Sequence, residues 1–186
     1  MRRILSFVCL VILLSGCSNQ DKSLNQAMEL RNKLQKGNGC AFLASICADY
    51  GKDVYQFTMQ CQMDLDGILH FCVNAPSSIS GITGTIQNEK GAIIFDDRVL
   101  AFQTIADDQL TPVTAPFVFM KALQSGYLRG CTENEDGYQI LVDDSYAEDA
   151  LCLNIWVDEN NTPVSSEIFW QGHRVLTLTV ENFVFM

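Results

Sequence analysis

Apolar and polar residues alternate along most of the chain beyond residue 40, and this period of two predicts strands with one dry face. The clearest case is the segment in which Tyr55, Phe57, Met59, Cys61 and Met63 alternate with glutamine and threonine. Since successive side chains of a strand point to opposite faces, these five residues share one face. The segment therefore predicts a strand that is buried on one side only.

A second strand, about residues 69 to 73, follows directly, and the turn between the two strands determines their register. A two-residue turn at Asp66-Gly67 would place Cys61 opposite Cys72 and the apolar residues of the second strand beside glutamines. A three-residue loop, closed by a type I turn over Asp64-Leu65-Asp66-Gly67 with Gly67 left-handed, keeps both apolar sets on one face. The expected pairs are Met63 with Leu69, Cys61 with Phe71 and Met59 with Val73. This register predicts Cys61 and Cys72 on opposite faces, without a disulfide.

The stretch before the first strand has the period of a helix. Ser23 and Gln26 form the pattern of a capping box, and Gly37 follows two lysines as a stop signal. We predict an amphipathic helix over about 24 to 36, with its apolar face formed by Leu24, Ala27, Met28, Leu30 and Leu34.

A second helical segment interrupts the strands between residues 111 and 125, behind two prolines and before Gly126. Its apolar residues, which include Phe117 and Met120, are spread nearly all round the helix. Such a helix is buried on more than one side. We therefore predict a lid or plug that lies against the sheet.

The remaining periodic segments predict more short strands, bounded by turn residues such as Gln171-Gly172. They lie at about 81 to 87, 91 to 96, 98 to 103, 127 to 132, 137 to 143, 149 to 158, 163 to 170 and 173 to 185. The predicted fold class is α+β and mostly β: a strongly curved antiparallel sheet of about ten to eleven strands with two helices. The sheet is expected to be an incomplete barrel, with the mid-chain helix on its apolar face.

A sheet of this size has more dry face than one short helix covers, so it must close into a barrel or keep a cavity that something fills. The adaptable, aromatic and methionine-rich face is the candidate lining of such a cavity. We predict ten lining residues: Tyr55, Phe57, Met59, Met63, Leu69, Phe71, Phe95, Phe102, Phe117 and Met120. An ordinary core made of the same side chains is the alternative.

The amino terminus begins with Arg2 and Arg3, followed by an apolar run over residues 4 to 14. About eleven residues are too few to span a bilayer, which takes roughly twenty. Leu14-Ser15-Gly16-Cys17 resembles a bacterial lipobox. The resemblance implies a signal peptide over 1–16, cleavage before Cys17, a diacylglycerol thioether on its sulfur and an exported protein. Residues 17–22 would then be the lipidated cysteine and a short tether, and 23–186 a single domain.

The charge balance narrows the class of partner. The chain carries 12 basic and 22 acidic residues, and removal of the two leader arginines leaves 10 against 22, a net charge of −12. Nucleic-acid binding requires a basic footprint, so we expect no nucleic-acid partner. Attachment to a membrane is expected through the diacylglycerol on Cys17 rather than through surface charge.

The cysteines, histidines and acidic residues of the chain are spaced unlike those of catalytic or metal-binding sites. The six cysteines outside the leader and Cys17 allow fifteen disulfide connectivities, and their pairing stays open. With two histidines and no CxxC spacing, a zinc or redox site is not expected. The acidic segment 143–149 is read as a solvated turn rather than a calcium loop. We expect no catalytic residue, no metal, no cofactor and no enzymatic activity.

The predicted order of a helix, about six strands, a helical insertion and about five more strands, behind a lipobox, resembles the LolA/LolB lipoprotein-carrier superfamily. The resemblance rests on topology and carries over no functional residue. It implies an incomplete barrel around an apolar cavity that takes acyl chains, a lipid or a lipidated partner, at the outer side of a bacterial membrane. The second hypothesis is a non-enzymatic envelope scaffold or regulator that acts through contacts with another envelope protein.

Overall fold

The computed structural model describes residues 18–49, 51, 53–87, 90–94 and 110–186. These residues form two helices and ten strands. The helices are α1 (Ser18–Lys36) and α2 (Ala115–Ser125). The strands are β1 (Cys40–Asp49), β2 (Val54–Met63), β3 (Leu69–Ala75), β4 (Thr83–Gln87), β5 (Lys90–Ile94), β6 (Tyr127–Asn134), β7 (Gly137–Asp143), β8 (Cys152–Asp158), β9 (Pro163–Trp170) and β10 (His173–Phe185). The lipobox with Cys17, the predicted cavity residues Phe95 and Phe102, and the predicted strand at 98 to 103 lie outside the described residues.

The ten strands form one antiparallel sheet in the order β5-β4-β3-β2-β1-β10-β9-β8-β7-β6. Each half of the sheet is a run of five sequential strands, and the two halves meet where β1 pairs with β10. β5 and β6 are the two edges, so the described strands do not close into a barrel. The predicted fold class is confirmed: a mostly β, α+β chain with an open antiparallel sheet and a helical insertion between its two halves.

The hairpin of β2 and β3 has the predicted register. Cys61 pairs with Phe71, and Cys72 lies on the other face, opposite Gln60. The turn closes by a hydrogen bond from the Gly67 amide to the Asp64 carbonyl at 3.2 Å, with Gly67 at a φ of 73°. Glycine adopts this left-handed conformation without a steric penalty, which allows the three-residue loop. The cysteines of the described residues are all free thiols.

One face of the sheet, which we call the inner face, carries the hydrophobic core. On it lie the alternating buried residues of the central strands: Phe42, Ala44 and Ile46 on β1, Phe57, Met59 and Cys61 on β2, Ile140 and Val142 on β7, Leu153 and Ile155 on β8, and Leu176 and Leu178 on β10. The opposite, outer face of the same strands is half-buried or exposed and carries threonine, serine and glutamine. The period of two in the sequence is therefore the division between these faces.

Helix α1 begins at Ser18, earlier than the sequence predicts. Ser23, predicted as the N-cap, lies inside the helix and is fully buried, so the capping-box prediction is wrong. The buried side of the helix is formed by Ser23, Ala27, Leu30 and Leu34. Their spacing of three and four residues places them on one side. The stretch predicted as a tether, 18–22, instead forms the first turns of α1.

Candidate functional site

The predicted cavity residues that the structure describes lie mostly together on the inner face. Buried side chains come from both neighbouring strands β2 and β3 and from α2: Phe57, Met59, Met63, Leu69, Phe71, Phe117 and Met120. Tyr55 differs, because 46% of its surface is exposed. It lies near the start of β2, opposite Ala48 of β1, which is itself fully buried. The inner face with α2 is the candidate functional site.

Helix α2 forms where local sequence signals and burial agree. Pro116 lies in its first turn, where a missing backbone N–H costs nothing. Just before the helix, the Thr111 amide donates to the Thr114 hydroxyl at 2.9 Å. The helix ends where the Gly126 amide donates to the Ala122 carbonyl at 2.9 Å. Its sequence is apolar almost all round, and eight of its residues are buried. The prediction of a helix covered on more than one side is confirmed.

The centre of the inner face is filled by α2. The ring of Phe119, which is fully buried, meets Phe42 of β1 edge to face, with centroids 6.2 Å apart. The Met120 sulfur lies 3.9 Å from the Cys40 sulfur. Edge-to-face rings and sulfur contacts are favourable only at close packing. The protein's own side chains therefore occupy this part of the site.

The apolar inner face extends beyond the strands on which the helices chiefly pack. Helix α1 packs on β6 and α2, and α2 packs on β7 and β10. Eleven residues make α2 about 16 Å long, whereas ten strands at about 4.8 Å spacing make the sheet roughly 45 Å wide. Yet the inner side chains of β2 and β3, from Phe57 to Val73, are buried too. The β2–β3 part of the face is thus covered by more of the protein than these two helices, and its side chains belong to the same continuous core, which includes Ile82, Leu110 and Val113.

Arg31 of α1 binds the carboxyl end of α2. Its Nε donates to the Leu123 carbonyl at 2.9 Å, and its Nη2 donates to the carbonyls of Ala122 at 3.2 Å and Gly126 at 2.8 Å. Gln35, one turn further along α1, donates to the Gln124 carbonyl at 2.6 Å. The last carbonyls of a helix have no partner within it, and their partial negative charge attracts a cation. We call Arg31 and Gln35 the α2 latch.

The sequence alone does not indicate the contacts of the α2 latch. Arg31 is one of several polar residues in an amphipathic helix, and its partners are more than ninety residues away in the chain. The guanidinium is half-buried, and desolvation lowers its pKa from the ordinary arginine value. Arginine is effectively always protonated in proteins at neutral pH, so the group stays charged. Because the pairing depends on the folded position of α2, no local pattern in the sequence indicates it.

The buried thiols are poorly suited to nucleophilic chemistry. Burial raises the pKa of Cys40 to about 11 and raises the pKa of Cys61 still further. The thiolate is the reactive form, so thiols with a raised pKa react slowly near neutral pH. On the outer face, burial and the nearby Asp143 carboxylate raise the pKa of Cys152.

Thiol labelling checks both the face assignment and these pKa shifts. In the folded protein we expect a disulfide reagent at pH 8 to modify the half-buried Cys47 and Cys72 well before Cys40 and Cys61. The matched variants are Cys72→Ala, which should remove a rapidly reacting thiol, and Cys61→Ala, which should not. Fast labelling that disappears only in Cys61→Ala would contradict the β2–β3 register.

Several charged side chains form ion pairs at the surface. Arg174 binds Glu167 at 2.6 Å. Arg129 lies 3.4 Å from Asp143. Within the acidic turn, the Asp144 carboxylate accepts the amide of Leu151 at 2.9 Å. Across the described part of the chain, histidine, cysteine, aspartate and glutamate form no group of three that could hold a metal ion.

The β2–β3 turn makes stability depend on pH through Asp64. Its carboxylate accepts the amides of Ile68 at 2.9 Å and Asp66 at 3.0 Å and faces the His70 ring at 3.4 Å. The pKa of Asp64 is lowered, chiefly by the Ile68 hydrogen bond. A carboxyl with a lowered folded-state pKa stabilises the fold above its unfolded value of about 4, and this contribution is lost as pH falls through the folded value.

We therefore expect Asp64→Asn to be less stable than the parent at pH 7, with a difference that shrinks as the pH falls below about 4. Urea unfolding at several pH values measures it. Asp66→Asn is the control, because Asp66 lies in the same turn but contributes only its backbone amide to the hydrogen bonds of the Asp64 carboxylate. A constant difference between parent and Asp64→Asn across this range would contradict the assignment.

Comparison with known proteins finds similarity at the level of solved structures. No protein-family model matches the chain, and no curated protein does. A LolA superfamily protein from Nitrosomonas europaea is 11% identical, with a TM-score of 0.40, over 91% of this chain and 94% of that one. An uncharacterized conserved protein from Thermus thermophilus is 11% identical, with a TM-score of 0.48, over 86% of this chain and 87% of that one.

A putative outer membrane lipoprotein-sorting protein domain from Vibrio parahaemolyticus is 11% identical, with a TM-score of 0.37, over 90% of this chain and 94% of that one. LolA-superfamily proteins are thus among the solved structures that this chain resembles, as its sequence predicted. At these identities the similarity concerns the fold alone. Within the residues that the structure describes, neither helix is long and apolar enough to cross a membrane.

Proposed function

We propose that this chain is a membrane-anchored bacterial envelope lipoprotein that binds a lipid, an acyl chain or a lipidated partner on the inner face of its sheet. The observation that carries the proposal is the extent of that apolar face. It continues over β2 and β3, away from the strands on which α1 and α2 chiefly pack. Its side chains are buried in the structure, so a ligand would replace part of what now covers them, and an elongated hydrocarbon chain suits an apolar face of this kind.

The lipobox resemblance at Leu14–Cys17 supports the anchor and an extracytoplasmic location. Two acyl chains hold a protein at a membrane where one does not. Because α1 begins at Ser18, directly after Cys17, the domain would be joined to its anchor without a flexible spacer.

The proposed role is binding without catalysis. The described inner face offers hydrocarbon and thioether groups together with thiols, and the thiols Cys40 and Cys61 have raised pKa values. Thiols with raised pKa values are poor nucleophiles near neutral pH, and thioether and hydrocarbon groups make favourable contacts with acyl chains.

The second candidate is a scaffold or regulator that acts through contacts with another envelope protein. The filled centre of the inner face favours it, because Phe119 and Met120 already occupy the space against Phe42 and Cys40. The two candidates differ in one respect: a carrier keeps apolar room for a ligand, and a scaffold does not.

Native mass spectrometry of the chain from Ser18 onward, purified without detergent and followed by organic extraction, separates the two candidates. The binding proposal predicts a co-purifying lipid, or uptake of an added phospholipid, that is lost in Phe57→Gln and Phe71→Gln. Phe42→Gln is the matched control, since Phe42 packs on α2. Circular dichroism verifies that each variant is folded. Where a glutamine variant fails to fold, the corresponding Phe→Leu variant replaces it.

A clean apo mass for the parent, with no uptake of added phospholipid, would contradict the lipid-binding proposal. The scaffold would then be favoured. Equal loss of lipid in the Phe42→Gln control and in the two β2–β3 variants, with folds intact, would contradict the assignment of the ligand to β2 and β3.

A further inference from the structure

Helix α1 exposes two large apolar side chains on one flank. Leu24 is 41% exposed and Met28 is 43% exposed, although Ala27 and Leu30 between and beyond them are buried. Residues four apart are neighbours on a helix, so Leu24 and Met28 form one strip. The same flank carries Arg31 further along, where α2 lies against it. The strip is thus the part of this flank that α2 does not reach.

The strip lies close to the start of α1. At 1.5 Å per residue, Leu24 is about 9 Å and Met28 about 15 Å along the helix from Ser18. Ser18 directly follows Cys17 in the chain, the residue that the lipobox resemblance marks for lipidation. A bilayer that holds the lipid is therefore within the reach of both side chains.

The end of the molecule around the start of α1 repels an anionic surface. Lys22 is bound to Glu133 at 2.7 Å, and the cleft beside them, about 390 Å³, is also lined by Glu135 and Glu159. Bacterial envelopes contain anionic lipids, and a negative surface potential disfavours carboxylates at the headgroups. A domain that stood on this end would place these glutamates against the membrane.

We propose that α1 lies along the membrane surface, with Leu24 and Met28 inserted between the lipids and the acidic end turned aside. This inference rests on the lipid anchor of the proposed function. The apolar side chains of interfacial helices insert about 5–10 Å into the boundary between headgroups and acyl chains. Leu24 and Met28 are large enough to reach this depth from a helix that lies on the surface. The strip would thereby determine which side of the domain faces the membrane.

The test uses the full lipidated protein in vesicles of phosphatidylethanolamine and phosphatidylglycerol with brominated acyl chains. The variants Leu24→Trp and Met28→Trp each add one tryptophan, and bromine quenches it only on close approach. Asn25→Trp and Glu29→Trp are matched controls, each one residue along the helix at an exposed position. The parent, which contains two tryptophans, supplies the background emission.

We expect bromine to quench the added emission much more strongly in both strip variants than in the controls, because only the strip side chains reach the acyl boundary. If the protein floats with the vesicles but the strip and control variants are quenched equally, the proposed orientation is wrong. The lipid anchor would remain supported by the flotation. Protein that fails to float with the vesicles would overturn both the anchor and this inference.

Discussion

Replacement of Phe119 by alanine is expected to lower the free energy of unfolding by about 3–5 kcal/mol. Phe119 is fully buried on α2, and its ring packs edge to face against Phe42. The substitution removes the burial of a whole ring and leaves a cavity between α2 and the sheet, which relaxes only in part. Urea denaturation followed by circular dichroism measures the loss as a lower midpoint at an unchanged slope.

Phe169→Ala is the matched control for this prediction. Phe169 lies on the outer face of β9, opposite Arg174 of β10, and is only half-buried. Because water already reaches this ring, its truncation is expected to cost about 1 kcal/mol. If Phe119→Ala lost no more stability than Phe169→Ala, α2 would not be packed against the inner face.

The hairpin of β2 and β3 was predictable to the residue pair. Two strict alternations meet at a turn whose last residue, Gly67, tolerates a positive φ. A register shifted by one residue would place Gln60 and Gln62 on the same face as the apolar residues of β3. Only the observed register keeps the apolar residues of both strands together. Strand register follows from sequence wherever such a penalty is large and local.

The start of α1 was not predictable in the same way. Ser23 matches an N-cap in type and spacing, yet it is a fully buried residue inside the helix. A small hydroxyl residue suits both a cap and the crowded side of a helix, and the choice depends on what packs against it. The sequence period alone does not distinguish these roles.

The burial of the apolar side chains in the candidate site was predictable, whether they line a cavity or form an ordinary core, and the polar contacts of the site were not. Phe57, Phe71 and Phe117 follow from the period of the chain and are buried as expected. Tyr55 continues the same alternation but is exposed. The period of two indicates on which face of the sheet a residue lies, and it does not indicate how much of the side chain is covered. Arg31 depends on a contact between distant segments, which periodicity does not report.

Replacement of Arg31 by methionine is expected to release the carboxyl end of α2. The substitution keeps the length of an apolar stem and removes the donors to three carbonyls, those of Ala122, Leu123 and Gly126. Hydrogen bonds from a charged donor contribute about 1.5–3 kcal/mol, and the half-buried carbonyls lose their partner, so a loss of about 2–3 kcal/mol is expected. Hydrogen exchange should show faster exchange of the α2 amides, with the central strands β1 and β10 less affected.

Two further arginine variants make this prediction specific. Arg129→Met removes an exposed arginine that lies 3.4 Å from Asp143, and such a surface pair contributes at most about 1 kcal/mol. Arg31→Lys keeps the charge, but the single ammonium of lysine cannot donate to all three carbonyls at once as the guanidinium does. If α2 is held by this geometry rather than by charge, Arg31→Lys will exchange almost as fast as Arg31→Met. Unchanged protection of α2 in Arg31→Met would mean that apolar packing around Phe119 alone holds α2 on the sheet.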